Sequence, residues 1–194
     1  MRTRPLPVFL ALAAAAAAPA VQAPRAVDLP RFTALKLEGG GEVALRYGPA
    51  QRVTLTGRDP SRTSMRVDDQ GTLVIRACEG NCQGHWPRIE IVTPTAPAAV
   101  AISGGGRIIG MGRWPAPRSL AVAINGGGTI DTTALDADDV AAAVRGGGSA
   151  TVSARKTLAA VINGGGRIAY HGDPQTTRMI NGGGAVVALC DERR

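Results

Sequence analysis

Three side chains that could bind a metal or form a disulfide lie close together in the chain: Cys78, Cys82 and His85. In an oxidising compartment, the two cysteines are expected to close a small disulfide loop, Cys78–Cys82. A metal site is the alternative, because Cys-x3-Cys-x2-His offers three ligands, although this spacing matches no common zinc pattern. Free thiols are a third interpretation. We expect no bound metal and no cofactor, and the odd cysteine, Cys190, is either buried or paired between chains.

Carboxylates form the second group that could carry chemistry. They are Asp131, Asp136, Asp138, Asp139 and Asp173. A glycosidase needs two facing carboxylates and usually aromatic platforms for sugar rings, but Trp86 and Trp114 are too far apart in sequence to suggest a groove. The "DADD" stretch is typical of a solvated bend. His171 is expected in an exposed turn, and no Ser–His–Asp, phosphate-loop or nucleotide motif is visible, so no catalytic residue is predicted.

Composition limits the elements that could position such side chains. The 194 residues are 44% hydrophobic but only 3% aromatic, with 26 glycines. This is too apolar for a disordered chain and too glycine-rich for a helical one. The formal net charge is +7, but the basic residues are scattered without interleaved aromatics, so nucleic-acid binding is not predicted.

The first 23 residues have the pattern of a secretory signal peptide. Arg2 and Arg4 precede an apolar stretch, and small residues follow, with plausible cleavage after Ala20 or Ala23. No second apolar run suggests a transmembrane segment. We expect an exported protein of a Gram-negative bacterium, located in the periplasm, on the outer-membrane surface or outside the cell, with a net charge lowered from +7 to about +5 by loss of the two arginines.

A glycine repeat carries most of the structural information. Its triplets begin at Gly104, Gly126, Gly146, Gly164 and Gly182, in steps of 22, 20, 18 and 18 residues. An Ile or Val stands two residues before every triplet, and Asn precedes three of them, at Asn125, Asn163 and Asn181. Apolar residues alternate on both sides, as in short strands with one inward face. A period near 20 is typical of a solenoid in which each coil is one turn of the chain.

The repeat therefore predicts an all-β fold, a single-stranded parallel β-helix (β-solenoid) with coils of about 18–22 residues. Stacked isoleucines would fill its interior, and the glycines would stack at a tight corner that leaves no space for Cβ atoms. Stacked Asn side chains could hydrogen-bond along the axis. An antiparallel meander is the alternative. It would not need the same residue types at the same offsets around every turn.

The ends of the repeat are less regular. The copy "LEGGGEV" at 37–43 lies 65 residues before Gly104, which corresponds to three further steps of about 22 residues. The Ala-rich "ALDADDVAAAV" is expected to be a strand because of its place in the repeat. Polar Thr176 and Arg178 take inward positions, so residues 174–194 are interpreted as a C-terminal cap. We expect a linker at 24–30, one domain at 31–190 with an insertion at Cys78–Cys82, and a tail at 191–194.

Taken together, these motifs resemble the bacterial family called the putative auto-transporter adhesin, head GIN domain. The similarity covers roughly residues 31–187. Its closing signature is matched by Gly164, Gly166, Ile168, Tyr170, Gly172, Asp173, Pro174, Gly182 and Gly184. The resemblance implies a right-handed parallel β-helix in an exported envelope protein, and it implies no catalytic residues. The all-glycine triplets and the Cys78–Cys82 insertion depart from the family pattern.

Three functions are compatible with the sequence. The preferred one is a non-enzymatic, adhesin-like binding or structural module whose partner is an unknown envelope component or glycan. A glycan-active lyase or hydrolase rests on fold analogy alone. A metal or redox module would be centred on Cys78, Cys82 and His85. A homo-oligomer is plausible if residues 27–36 cap their end of the solenoid imperfectly and stack on another copy.

Overall fold

The computed structural model describes residues 24–57, 60–78 and 86–189. Within these ranges the chain is all-β, as predicted, and contains no α-helix. The described strands are β1 (Arg25–Val27), β2 (Ala34–Gly39), β3 (Glu42–Tyr47), β4 (Arg52–Thr56), β5 (Ser64–Val67), β6 (Thr72–Arg76), β7 (Arg88–Thr93), β8 (Ala99–Gly104), β9 (Arg107–Met111), β10 (Ser119–Gly126), β11 (Thr129–Asp131), β12 (Ala137–Gly146), β13 (Ser149–Asn163), β14 (Arg167–His171), β15 (Gln175–Asn181) and β16 (Ala185–Ala188). Two single-turn 3₁₀ helices occur at Pro60–Arg62 and Thr133–Leu135.

The strands form one mixed, open sheet that contains two parallel arrays. The first array is β6, β2, β8, β10, β12, the end of β13, and β15. The second is β7, β3, β9, β11, the start of β13, β14 and β16. A meander would pair successive strands antiparallel, so that alternative is wrong for residues 99–188.

The registers place like residues side by side. Ile124 is paired with Ile102 on one side and Val144 on the other, and Ile130 lies between Ile108 and Ala150 in the second array. The side chains of these two inward rows are at most 1% exposed. The rows are Leu37, Ile102, Ile124, Val144 and Ile162 in the first array, and Val43, Ile108, Ile130, Ala150 and Ile168 in the second. Each buried Leu or Ile contributes roughly 1.5–3 kcal/mol, so these rows make a large contribution to the stability of the core.

Antiparallel strands cover the N-terminal end of both arrays. The strand β4 pairs antiparallel with β7 and with β1, and β5 pairs antiparallel with β6. Residues 24–30, expected as a linker, therefore include a paired strand. Of the predicted stacking edge at 27–36, residues 34–36 lie on β2, whose two edges are already occupied by β6 and β8.

The first glycine triplet is placed differently from the sequence prediction. Gly39 pairs directly with Gly104, so one step separates them rather than three. The intervening chain returns to the far side of β2 and β3, where it forms β6 and β7, before it continues to β8. Sequence spacing cannot distinguish this return path from additional coils, because both consume the same length of chain.

Two further predictions concern single elements. The Ala-rich segment forms β12 and is paired on both edges, so its position in the repeat outweighs its helix propensity. At the other end, Arg178 pairs with Ala160 and so continues an inward row, yet its side chain is exposed because β15 pairs only with β13 among the described strands. Residues 190–194 of the predicted cap lie outside the described part.

Candidate functional site

The glycine triplets line the corner where the first array passes into the second. The leading glycines have positive φ angles, such as +127° at Gly104 and +125° at Gly126. A Cβ added to Gly126 would lie 2.6 Å from the carbonyl oxygen of Gly104 in the adjacent strand. At the third position, a Cβ on Gly128 would lie 2.7 Å from Ile102 Cγ2. Glycine is therefore required at both positions by backbone conformation or close packing.

The middle glycines are different. A Cβ on Gly105, Gly127, Gly147, Gly165 or Gly183 would meet no atom within 4 Å. These residues are exposed and form a bare backbone strip along the corner. Nothing in the packing of the described residues explains why all five lack a side chain.

Polar side chains border this strip. The amide Nδ2 of Asn181 donates to Asn163 Oδ1 over 3.0 Å, so one step of the expected asparagine ladder is hydrogen-bonded. Asn125 is instead paired in register with Ser103 and Arg145. The ladder is therefore confined to the last two triplets.

Trp86 creates a groove at the N-terminal end of the glycine corner. Its indole ring lies directly on Gly40, where an added Cβ would clash with the ring carbons. The ring is nevertheless 53% exposed. Together with Glu42, Gly105 and Arg107, it lines a shallow space of about 550 Å³, here called the Trp86 groove.

A second groove lies at the opposite turn of the repeat, where β9, β13 and β14 and the second 3₁₀ helix meet. It has a volume of about 650 Å³, and we call it the Arg113 groove. Its principal side chains are Arg113, Trp114, Asp136, Ser153, Arg155 and His171. Each tryptophan thus lines a groove of its own, which their separation in sequence did not suggest.

Hydrogen bonds order the acidic side of the Arg113 groove. Ser153 Oγ donates to Asp136 Oδ1 over 2.7 Å. Two residues further along the chain, Asp138 forms ion pairs with Arg155 and, at 2.8 Å, with Lys156 Nζ. The hydrogen bond from Lys156, assisted by the charge of Arg155, holds the pKa of Asp138 below its usual range.

The other predicted carboxylates have local partners or are exposed. Asp131 accepts the hydroxyl of Thr133 over 2.7 Å, and Asp139 accepts that of Thr157 over the same distance. Asp173 is exposed beside Gly172. The structure does bring Ser153, Asp136 and His171 into one groove, but Ser153 donates to the carboxylate rather than to the imidazole, which is not the arrangement of an activated serine.

Gly172, Asp173 and Pro174 of the closing signature lie at the same turn, whereas its triplet glycines lie at the glycine corner. Gly172 has φ +95°, and an added Cβ would clash with the carbonyl oxygen of Ala154. Pro174 is buried, and Tyr170 is half-buried against the core. Of these three residues, Gly172 lines the Arg113 groove.

Of the cysteines and His85 singled out in the sequence, only Cys78 lies within the described residues. Cys78 is disulfide-bonded, and a sulfur in a disulfide has no thiolate to offer a metal. Cys82, His85 and Cys190 lie outside the described residues, so the Cys78–Cys82 pairing stays a prediction. Among residues 24–57, 60–78 and 86–189, no three His, Cys, Asp or Glu side chains are grouped as a metal site would require. In the same ranges no helix is long and apolar enough to cross a membrane.

The part of the repeat that contributes Asp136, Ser153 and His171 to the Arg113 groove also matches a family model. Residues 116–174 match the model of the putative auto-transporter adhesin, head GIN domain family. The resemblance drawn from the glycine pattern is confirmed for this segment. The head GIN match contains the triplets at Gly126, Gly146 and Gly164 and ends at Pro174, before the last triplet.

Solved structures extend the comparison to the fold. A crystal structure of a putative adhesin from Bacteroides fragilis is 18% identical, with a TM-score of 0.51, and the alignment covers 86% of this chain and 96% of that chain. A putative adhesin from Parabacteroides merdae is 17% identical, with a TM-score of 0.41, over 87% and 96% of the two chains. At this identity the Bacteroides fragilis structure supports the all-β fold alone. No curated protein sequence matches the chain.

Proposed function

We propose that the protein is a non-enzymatic, adhesin-like binding module exported to the cell envelope, and that it holds a glycan chain in the Trp86 groove. The observation that carries this proposal is the half-exposed indole ring of Trp86, seated on Gly40. Large aromatic rings usually bury most of their surface, and a fixed, exposed ring offers a flat apolar face. Sugar rings present apolar C–H faces that fit such a platform. Arg107 and Glu42 at the rim supply hydrogen-bonding groups for hydroxyls.

The proposal includes a right-handed, parallel β-solenoid as the scaffold. Its support is that the chain alternates between the two parallel arrays, from β8 to β9 and from β10 to β11, and that paired residues such as Ile102 and Ile124 are one repeat apart. The right hand follows the general rule for crossovers between parallel strands. Such a body would present the two grooves at opposite turns of one rigid rod.

A non-enzymatic role is favoured by the bonding of the acidic side chains. Asp131, Asp136 and Asp139 each accept a hydroxyl from a neighbouring Thr or Ser, and Asp138 is shared by two cations. Carboxylates held in this way act as structural acceptors. A glycosidase would instead need two of them facing a common sugar ring.

The test measures retention and cleavage in one incubation. The protein, expressed from its full-length sequence in a Gram-negative host, is mixed with isolated envelope polysaccharide, and both polymer-bound protein and newly released sugar are quantified. We expect retention without release. Trp86→Ala should weaken retention about tenfold, whereas Met179→Ala, which removes another exposed large apolar side chain outside both grooves, should change it less than twofold.

Two results would contradict the proposal. Release of reducing ends or unsaturated sugar would show an enzyme and bring the aspartate cluster forward. Equal retention of the wild type and Trp86→Ala would place binding elsewhere on the molecule.

A further inference from the structure

The Arg113 groove gathers polar groups from four separate segments of the chain. Arg113 follows β9, Asp136 follows the second 3₁₀ helix, Ser153 lies within β13, and His171 ends β14. Ser153 and His171 are paired in register on adjacent strands. Because strands of a parallel array are held at about 4.8 Å from one another, these side chains form a fixed row along the groove.

The lining of the Arg113 groove offers more hydrogen-bond donors than free acceptors. Asp136 is the one lining carboxylate, and it already accepts the Ser153 hydroxyl. Arg155 uses one nitrogen for Asp138, and Asp138 is also neutralised by Lys156. Arg113 is exposed and forms no ion pair with any described residue. The lining therefore carries an excess of N–H donors and a formal charge of about +1, which fits an anionic group.

One wall of the groove is held by side-chain contacts, and its rim is open. Trp114 is only 8% exposed, its Nε1 donates to the Met111 carbonyl over 3.1 Å, and its ring centroid lies 6.0 Å from that of Tyr47. At the rim, Gly112 presents no side chain, and the space around its missing Cβ is empty to 4 Å. The volume of about 650 Å³ lies within the range of sites for small ligands and would admit one or two sugar rings.

We propose that the Arg113 groove binds an acidic sugar unit, with its carboxylate or sulfate on Arg113 and Arg155 and its hydroxyls on Ser153, Asp136 and His171. A planar guanidinium matches an oxyanion by two parallel hydrogen bonds, and this geometry separates an acidic sugar from a neutral one. The inference rests on the proposed adhesin-like role, because it takes the ligand to be part of an envelope glycan. It adds a second site and assigns that site a charge preference.

Defined polymers test the inference, with the net charge matched between two variants. The wild type, Arg113→Glu and Arg52→Glu are titrated against polygalacturonate, dextran sulfate, fully methyl-esterified polygalacturonate and dextran at about 150 mM salt, where weak long-range attraction is screened. Arg52 is also exposed, on β4, so both variants change the net charge by the same amount. Circular dichroism and thermal unfolding check that each variant is folded.

We expect the wild type to bind at least one acidic polymer at least tenfold more tightly than its neutral counterpart. Arg113→Glu should lose about tenfold or more of that affinity, and Arg52→Glu less than threefold. The polymer that is preferred distinguishes a carboxylate from a sulfate. Equal losses in the two variants would reduce the effect to general charge attraction and overturn the inference, as would the absence of any preference for an acidic polymer.

The two proposals can fail separately. Retention on envelope polysaccharide that depends on Trp86 but not on Arg113 would overturn the second site and leave the adhesin-like role intact. Binding of acidic polymers that depends on Arg113, together with sugar release in the first assay, would support the site and reject the non-enzymatic role.

Discussion

Two neighbouring glycines of one triplet should respond in opposite ways to an added methyl group. A Cβ on Gly128 would lie 2.7 Å from Ile102 Cγ2 and 2.9 Å from the Gly106 oxygen, whereas one on Gly127 would meet nothing within 4 Å. We expect Gly128→Ala to lower the free energy of unfolding by about 1–3 kcal/mol, as overpacking does. Gly127→Ala should be neutral or raise it by up to about 1 kcal/mol, since it reduces the entropy of the unfolded chain. Urea denaturation measures both, and similar losses in the two variants would contradict the corner geometry.

The ion pairs of Glu38 lead to a second prediction at the scale of single residues. Its carboxylate lies 2.7 Å from Lys36 Nζ and 2.9 Å from Arg76 Nε, and these hydrogen bonds, Lys36 first, hold its pKa below the usual range of a glutamate. A lowered pKa in the folded state stabilises the protein above the unfolded value of about 4.3, and this contribution is lost as pH falls through the lowered pKa. Glu38→Gln should therefore cost about 0.5 kcal/mol at pH 7, because exposed pairs are weak.

The pH series provides the check on Glu38. The difference between wild type and Glu38→Gln in unfolding free energy should shrink as pH is lowered from 6 to 3. Asp69→Asn, which changes another exposed carboxylate, serves as the control. A difference that grows toward low pH would have the wrong sign for this interpretation.

At the scale of elements, the sequence predicts the strands that belong to the glycine repeat, but it does not predict how the strands outside the repeat are paired. Strands β8 to β16 follow from alternation and from constant offsets around the triplets, and β12 is assigned correctly in spite of its alanines. The antiparallel strands β1, β4 and β5 carry no repeat signal, because their pairing is decided by which edges remain open at the end of the arrays. The direct pairing of Gly39 with Gly104 was not predicted either, because it also depends on how the chain outside the repeat is paired.

The last strand of the first array supplies a prediction for an element. Arg178 stands at the position that Val122, Ala142 and Ala160 fill in the preceding strands. A charge at an inward position of an edge strand disfavours pairing with another chain, because pairing would bury it. Arg178→Val should therefore promote self-association, with an increased weight-average mass in sedimentation experiments near 50 µM, on the order of typical weak-dimer conditions.

Arg145→Val is the matched control for the edge strand. Arg145 is also exposed, but it lies on β12, whose two edges are occupied by β10 and β13. If both variants associate equally, the increase reflects lost charge alone, and Arg178 has no special role at the edge.

For the whole molecule, the sequence predicted the fold better than it predicted the two candidate sites. Thr133, Ser153 and His171 stand at one offset, seven residues after the leading glycines of their triplets, so the repeat held a signal that could have grouped them. Trp86 offered no such signal. It lies between β6 and β7, where the sequence has no glycine triplet, and the pairing of those strands with β2 and β3 brings it onto Gly40.

Central strands and edge strands should also differ in their protection against amide hydrogen exchange. The strands β10 and β12 are paired along both edges, whereas β15 and β1 each have one described partner strand. Local opening of an edge strand breaks one ladder and exposes few buried side chains, so it costs less free energy than opening a central strand. Mass spectrometry should find the slowest exchange in peptides from 119–126 and 137–146, and faster exchange, by about tenfold or more, in 175–181. Uniform protection from β1 to β15 would mean that the body unfolds only as a single unit, and slower exchange in β15 than in β12 would show that another chain covers the edge.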